Sequence, residues 1–97
     1  MIAEIQVVPR PLIKTEECYK HVDAAIAAIS ASGLTYEVGA MGTTIEGTPD
    51  QIWPLLRAVH EATLHAGAEG CMSIMKVSGA ADDNGPRVHD LVDMHRA

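Results

Sequence analysis

Two segments with helical periodicity alternate with four strand-like segments along this chain, and their order limits the possible folds more than any other feature. Strand-like composition or period-two alternation marks residues 2–8, 34–38, 42–47 and 70–78, and the Pro-Arg-Pro at 9–11 is expected to end the first of them. Apolar residues recur at helical spacing in the two longer intervals between these segments. The order βαββαβ therefore predicts an α+β fold, a ferredoxin-like sandwich whose antiparallel sheet has the strand order 4-1-3-2, plus a short C-terminal helix.

Capping residues predict where the helices begin and end. Thr15 is the expected N-cap of the first helix, which we expect to end at Gly33. The second helix opens with a capping box, in which Thr48 is the N-cap and Gln51 is the N3 residue, and a proline occupies N1, where its missing N–H costs nothing. Gly67 is expected to terminate it. The predicted inner face of this helix comprises Ile52, Leu55, Leu56, Val59, Thr63 and Ala66.

Length and composition restrict the classes of protein to which the chain can belong. With 97 residues, 47% of them hydrophobic, we expect a single globular domain spanning 1–97. Phe is absent and aromatic residues make up 3%, so the core must be small and aliphatic, and homo-oligomerisation is expected to bury further surface. A net charge of −6 argues against a nucleic-acid partner, since phosphate recognition requires a basic patch.

The expected location follows from cysteine usage and from the N-terminal segment. Cys18 and Cys71 form no CxxC motif, and the apolar N-terminal run contains an acid and no basic residue before it. No apolar run approaches the length of a membrane span. We therefore expect a cytoplasmic protein with reduced thiols and no membrane partner.

The sheet face opposite the helices is predicted to carry a mixture of carboxylates, hydroxyls and apolar side chains. Because alternate residues of a strand point to opposite faces, this open face should hold Ile2, Glu4, Gln6, Val8, Thr35, Glu37, Thr44, Glu46, Met72, Ile74 and Lys76. The helices should cover the other face, including Tyr36, Val38, Met75 and Val77. Two interpretations stay open: a partly buried face that holds something polar beneath another subunit, and ordinary surface with scattered apolar residues.

No motif in the sequence indicates catalysis or a bound metal or cofactor. His60 and His65 are five residues apart, about 140° around a helix, whereas the zinc motif requires a spacing of four. No serine or cysteine nucleophile stands beside an evident base, and the loop at 39–42 lacks the lysine of a phosphate-binding loop. The prediction is a protein that is not an enzyme, and the enzymatic alternative uses Glu37 or Glu46 as a general base.

Four stretches resemble the thiamine-binding, YkoF-like protein family: MGTTIEG at 41–47, the following Asp50, RAVHEATLHAGA at 57–68, and SIMKVSGAADD at 73–83. They follow one another in the family's order over nearly the whole chain. The resemblance implies a ferredoxin-like homodimer or homotetramer, assembled through its sheets, that binds thiamine (vitamin B1) or its hydroxymethylpyrimidine half without catalysis. The chain departs from the family after the last strand, where GAADDNGPR at 79–87 is longer and richer in glycine.

The resemblance further implies a ligand site on the open face. An aminopyrimidine ring presents an amine donor and ring-nitrogen acceptors, which need a carboxylate or carbonyl and a hydroxyl or N–H. Glu46 and Thr44 are expected to contact the ligand first, and Met41 to cover the ring with its polarisable side chain. The full set of predicted ligand-binding residues is Glu46, Thr44, Glu37, Thr43, Met41 and Gln6.

Each of these assignments has an alternative that needs no ligand. Glu46 can instead form a surface ion pair with Lys76. The threonines can be present because they are good strand formers, and Met41 because its flexible side chain fills a gap in the packing. Gly42 and Gly47 are expected to permit backbone conformations that other residues avoid. For the protein as a whole, the alternative is a structural or regulatory homo-oligomeric interaction module without a small-molecule site.

Overall fold

The computed structural model describes residues 1–10, 16–82 and 87–93. The elements are β1 Ile2–Arg10, α1 Glu16–Ala31, β2 Thr35–Val38, β3 Thr43–Glu46, α2 Pro49–His65, β4 Gly70–Ser78 and α3 Val88–Val92. Every paired strand is antiparallel, and the sheet order β2-β3-β1-β4 is the predicted 4-1-3-2 read from the other edge. The predicted ferredoxin-like fold with a short C-terminal helix is confirmed.

The helices α1 and α2 cover the two central strands of the sheet and, through a contact between His60 and Ser73, the first half of β4. The core consists of Ala3, Ile5, Ala25, Ile29, Ile45, Ile52, Leu55, Leu56 and Val59. On the same face, side chains of β2 and of the second half of β4 are partly exposed, and these are Tyr36, Val38, Met75 and Val77. The expectation that the helices bury the whole of this face is therefore wrong, because the two helices leave β2 and the second half of β4 open.

The predicted helix ends that lie within the described residues, at Gly33, Thr48 and Gly67, are confirmed. At the start of α2, Gln51 Oε1 accepts a hydrogen bond from the Thr48 backbone N–H at 3.0 Å, as a capping box requires. Gly33 and Gly67 follow the two helices with φ of 74° and 111°, a region that only glycine enters without strain. Ala66 is exposed rather than part of the inner face, since it is the C-cap of α2. The expected N-cap Thr15 lies outside the described residues.

β1 continues beyond Val8, where we expected it to end. It pairs with β4 as far as Arg10, and Pro9 is part of this ladder. Successive residues of an antiparallel strand direct their backbone groups to opposite sides. The Met1 carbonyl accepts the N–H of Gly47, which follows β3, and the Arg10 carbonyl accepts the N–H of Glu69, which precedes β4. The odd-numbered residues of β1 therefore direct their N–H and C=O groups toward β3, and the even-numbered ones toward β4. Since β3 accompanies β1 only to Ile5, the Pro9 nitrogen faces a side without a neighbouring strand.

Gly42 and Gly47 serve close packing rather than unusual backbone conformation, so the reason expected for them is wrong. The two described glycines with positive φ are Gly33 and Gly67. A Cβ on Gly47 would lie 3.1 Å from both Leu34 Cδ1 and Gln51 Oε1, and one on Gly42 would lie 3.3 Å from the Glu4 side chain. The glycine of the IEG sequence is thus the point where the end of β3 passes against the start of α2.

Candidate ligand-binding cleft

The register of the sheet brings the predicted polar residues of β2 and β3 together on the open face. Glu46 lies opposite Thr35, and Thr44 lies between Glu37 on β2 and Glu4 on β1. The intervening residue of β3, Ile45, is fully buried beneath the helices. Thr44, Glu46 and Glu37 therefore share the face that α1 and α2 leave uncovered.

The short helix α3 closes one side of this surface and turns it into a cleft. The cleft encloses ≈ 260 Å³ and is lined by Thr35, Tyr36, Glu37, Thr44, Glu46, Val88, Val92 and Asp93. α3 lies against its own subunit, since Arg87 and Val88 contact Glu46 of β3. The segment 83–86, which belongs to the Gly-rich departure from the family, lies outside the described residues.

The Glu46 carboxylate is the anchor of α3. Its Oε1 accepts a hydrogen bond from Arg87 Nη1 at 3.2 Å, and its Oε2 accepts one from the Val88 backbone N–H at 2.9 Å. Its side chain is only 12% exposed, whereas the Arg87 side chain is 56% exposed. Two donors on different oxygens, the Arg87 guanidinium and the Val88 N–H, fix the direction of this carboxylate.

The proposed ion pair between Glu46 and Lys76 does not form. Lys76 Nζ lies 4.0 Å from Glu4 Oε1, its direct neighbour across β1 and β4, and both side chains are well exposed. β1 separates β4 from β3, so the lysine meets the carboxylate of β1 first. Glu46 does form an ion pair, but its partner is Arg87 rather than the expected Lys76.

The chemistry of the cleft suits a flat ligand with donor groups and positive charge. Glu37, Glu46 and Asp93 bring three carboxylates to its lining, and Thr35 and Thr44 add hydroxyls. Val88 and Val92 form an apolar wall against which a ring can lie. Each carboxylate oxygen offers two lone-pair positions, so the Glu46 oxygens retain acceptor capacity after bonding Arg87 and Val88.

The other three predicted ligand-binding residues lie elsewhere. Thr43 points to the helix side and is 6% exposed, while Met41 is 79% exposed in the loop that joins β2 and β3. Together with Gln6 they line a second cavity of ≈ 220 Å³, between that loop, the β1 strand beyond Ile5, and α1. The walls of this second cavity are mostly apolar, so the predicted set of six divides between two places.

The described residues contain one contact between a hydroxyl and an imidazole that sequence reasoning missed. Ser73 Oγ lies 2.6 Å from His60 Nδ1, and Cys71 Sγ lies 3.7 Å from the same hydroxyl. The statement that no serine stands beside a base is therefore wrong, because α2 and β4 pack side by side. The contact lies on the helix side of the sheet, away from the cleft, and ties α2 to the edge strand.

Residues of α3 were not predicted as part of the site. Arg87 and Val88 reach Glu46 across 41 and 42 positions of sequence. A five-residue helix has too little periodicity to show which way it faces. The one signal available was Asp90 three positions after Arg87, whose carboxylate accepts the Arg87 backbone N–H at 3.0 Å and so marks the helix start.

Within the described part of the chain, no three side chains of metal-ligating type converge on one point. No described helix is long and apolar enough to span a bilayer.

Comparison with known proteins shows the family to which the chain belongs and agrees with the fold. The sequence profile described as thiamine-binding protein matches residues 3–95. A UPF0045 protein of Methanothermobacter thermautotrophicus is 32% identical over 87 residues, which cover 88% of this chain and 87% of that protein. A UPF0045 protein of Clostridium perfringens is 33% identical over 67 residues, which cover 69% of this chain and 70% of that protein.

Solved structures show the same fold. A domain of unknown function from Bacillus cereus superposes with a TM-score of 0.87 at 34% identity, covering 98% of this chain and 88% of that one. A candidate thiamine biosynthesis/salvage protein from Thermotoga maritima superposes with a TM-score of 0.83 at 25% identity, covering 98% and 97% respectively.

Proposed function

Because the chain belongs to the thiamine-binding protein family, we propose that it binds thiamine or its hydroxymethylpyrimidine half in the cleft between β2, β3 and α3, without catalysing a reaction. It acts as a homo-oligomer in the cytoplasm, where it sequesters, buffers or presents its ligand. The name of the Thermotoga maritima structure, which places that protein in thiamine biosynthesis or salvage, supports this class of ligand.

The observation that carries the proposal is the fixed Glu46 carboxylate beside Thr44 in an acidic cleft. Glu46 accepts the exocyclic amine of the pyrimidine, and the Thr44 hydroxyl meets a ring nitrogen. The direction of the carboxylate is set before the ligand arrives, since Arg87 and the Val88 N–H already hold it. Such preorganisation reduces the entropy that binding must overcome.

The size and charge of the cleft assign the two halves of thiamine to different places. Its volume of ≈ 260 Å³ lies just below the roughly 300–1,000 Å³ typical of ligand pockets, so it accommodates one ring rather than two. The pyrimidine occupies the cleft, and the thiazolium remains at its mouth. The cationic thiazolium is favoured there by Glu37 and Asp93.

Isothermal titration calorimetry with thiamine, thiamine phosphate and hydroxymethylpyrimidine tests the proposal. We expect saturable binding in the micromolar range or tighter. Thr44→Val keeps the shape and the strand propensity of residue 44 but removes its hydroxyl, and the loss of one hydrogen bond of about 1 kcal/mol weakens binding about five-fold. Asp23→Asn, on the exposed side of α1, is the control, because it removes one negative charge far from the cleft.

The alternative, an interaction module without a ligand site, is favoured by a different observation. β4 exposes four large apolar side chains at the edge of the sheet, as a surface that only joins subunits would. No heat with any of the three compounds, from protein that is folded and oligomeric, would select this alternative. Turnover of a thiamine or pyrimidine derivative by pure protein would instead select an enzyme.

A further inference from the structure

The charged side chains that line the described part of the cleft are all acidic. Glu37, Glu46 and Asp93 contribute three carboxylates, and no lysine, arginine or histidine is among the lining residues that the structure describes. The remaining side-chain donors in this lining are hydroxyls, including those of Thr35 and Thr44. A negatively charged group on a ligand therefore meets no cationic side chain in this lining.

The groups beside the cleft that could bind an anion are already used by the protein's own carboxylates. Glu46 Oε1 accepts a hydrogen bond from Arg87 Nη1 at 3.2 Å, and Glu46 Oε2 accepts one from the Val88 N–H at 2.9 Å. The Arg87 backbone N–H donates to Asp90 Oδ2 at 3.0 Å. Guanidinium groups and backbone N–H groups are common phosphate ligands, so Glu46 and Asp90 occupy the positions that a phosphate would need.

Two other described cations are held away from the cleft by carboxylates of their own. Lys76 Nζ lies 4.0 Å from Glu4 Oε1, and β1 separates its strand from β3. Arg57 Nε lies 2.8 Å from Glu61 Oε1 on α2, on the other face of the sheet. Neither cation is placed to receive a phosphate in the cleft.

We propose that the cleft selects the unphosphorylated form of its ligand and rejects, by charge, the phosphate ester of hydroxymethylpyrimidine. The inference rests on the proposed function, in which Glu46 accepts the exocyclic amine of the pyrimidine. The hydroxymethyl group occupies the ring carbon next to the one that bears this amine, so its phosphate ester would lie about 5–6 Å from the Glu46 carboxylate. The protein therefore takes up its ligand before the ligand is phosphorylated or after its phosphate has been removed.

The same position explains why thiamine is accepted. In thiamine, the carbon that carries the hydroxyl of hydroxymethylpyrimidine carries the cationic thiazolium instead. Asp93 and Glu37 line this side of the cleft and favour a cation there. A phosphate on the same carbon would replace that cation with an anion, so the interaction that favours thiamine opposes the ester.

Repulsion and loss of hydration both act against the phosphate. It carries a charge of about −1.5 to −2 at pH 7, and a single carboxylate about 5–6 Å away weakens its binding roughly tenfold at the dielectric constant of water. Arg87 offsets part of this repulsion at Glu46. The phosphate also loses water against the apolar wall of Val88 and Val92 without gaining a cationic partner. We therefore expect the ester to bind at least about tenfold more weakly than the alcohol.

The penalty should decrease as the phosphate moves away from the cleft. In thiamine phosphate, the phosphate lies beyond the thiazolium, at a distance comparable to the Debye length of about 8 Å at physiological salt. We expect thiamine phosphate to bind only about two- to threefold more weakly than thiamine. A larger penalty for thiamine phosphate than for hydroxymethylpyrimidine phosphate would contradict the inference.

Isothermal titration calorimetry with hydroxymethylpyrimidine and its phosphate ester, at pH 7, tests the inference. The expected result is that the alcohol binds and that the ester binds at least about tenfold more weakly. A smaller difference, or tighter binding of the ester, overturns the inference while the proposed function stands. If neither compound binds, the inference fails as well, and the titration with thiamine then decides whether the proposed function fails with it.

Reversal of one charge at the cleft separates exclusion by charge from exclusion by size. Asp93→Lys places a cation at an exposed position of the cleft, directly after α3. It should raise the affinity for the ester relative to that for the alcohol at least about fivefold. Asp23→Lys, on the exposed side of α1, makes the same change of charge far from the cleft and should not alter this ratio. If Asp93→Lys also leaves the ratio unchanged, charge does not exclude the ester and the inference is overturned.

Discussion

Replacement of Glu46 by glutamine removes the charge of the carboxylate that holds α3 over the open face. Glutamine has nearly the same shape, and its one carbonyl oxygen can still accept the Val88 backbone N–H. Its amide NH₂ then faces the Arg87 guanidinium, and two donors oppose each other where an ion pair stood. The change thus removes the ion pair with Arg87 and weakens the hydrogen bond from the Val88 N–H.

The expected cost follows from the exposure of the two partners. Hydrogen bonds to charged groups contribute about 1.5–3 kcal/mol. The ion pair between Arg87 and Glu46 contributes less than this, because the Arg87 side chain is 56% exposed to solvent. We therefore expect the docking of α3 to weaken by about 1–2 kcal/mol. A five-residue helix does not persist without docking, so the population of undocked α3 should rise about 5–30-fold.

Native-state hydrogen exchange measures this directly. The Leu91 amide donates to the Arg87 carbonyl at 3.3 Å inside α3, so its exchange rate reports the undocking. Glu46→Gln should raise this rate about 5–30-fold, and the exchange of α2 amides such as that of Val59 should not change. The control is Glu4→Gln, a carboxylate on the same face that contacts Lys76 rather than α3. Unchanged Leu91 exchange in the Glu46 variant would refute the account of the anchor.

Two further predictions concern stability and titration. Gly47→Ala should destabilise the fold by about 1–3 kcal/mol in urea unfolding, since its Cβ would lie 3.1 Å from Leu34 and from the capping glutamine. Gly79→Ala, with nothing within 4 Å of its Cβ, is the control, and equal effects would contradict the packing role. The pKa of Glu61 is lowered from 4.5 by its hydrogen bond to Arg57; its stabilisation is present above the unfolded pKa and is lost as pH falls through the folded one. An NMR titration should therefore find its midpoint below 4.5.

Local signals in the sequence account for most of the fold. The capping box at Thr48 and Gln51, the glycines after each helix, and period-two alternation in β1 and β3 depend on residues within a few positions of each other. The antiparallel 4-1-3-2 order then follows from the order of elements. The errors occurred where distant parts of the chain decide the outcome. β1 runs through Pro9 because β3 pairs with β1 only as far as Ile5. Met75 stays exposed because the helices do not cover the second half of β4.

The candidate site was predictable on the strands but not beyond them. Alternation alone places Thr44, Glu46 and Glu37 on one face, since each face repeats every second residue. Alternation also assigns Thr43 to the helix side, whereas we had grouped it with Thr44 because both residues carry a hydroxyl. The position of α3 depends on a contact between Glu46 and Arg87 across 41 residues of sequence, and no local pattern encodes such a contact.

A ¹H–¹⁵N NMR titration of the protein with thiamine tests directly whether the cleft beneath α3 binds this ligand. We predict saturable chemical-shift changes that are largest for the amides of Thr44 and Glu46 and for those of α3. The second cavity serves as the internal comparison, since its amides at 39–42 and in α1 should change little. Shifts concentrated at that cavity, or no shifts at ligand concentrations well above the micromolar range, would contradict the account.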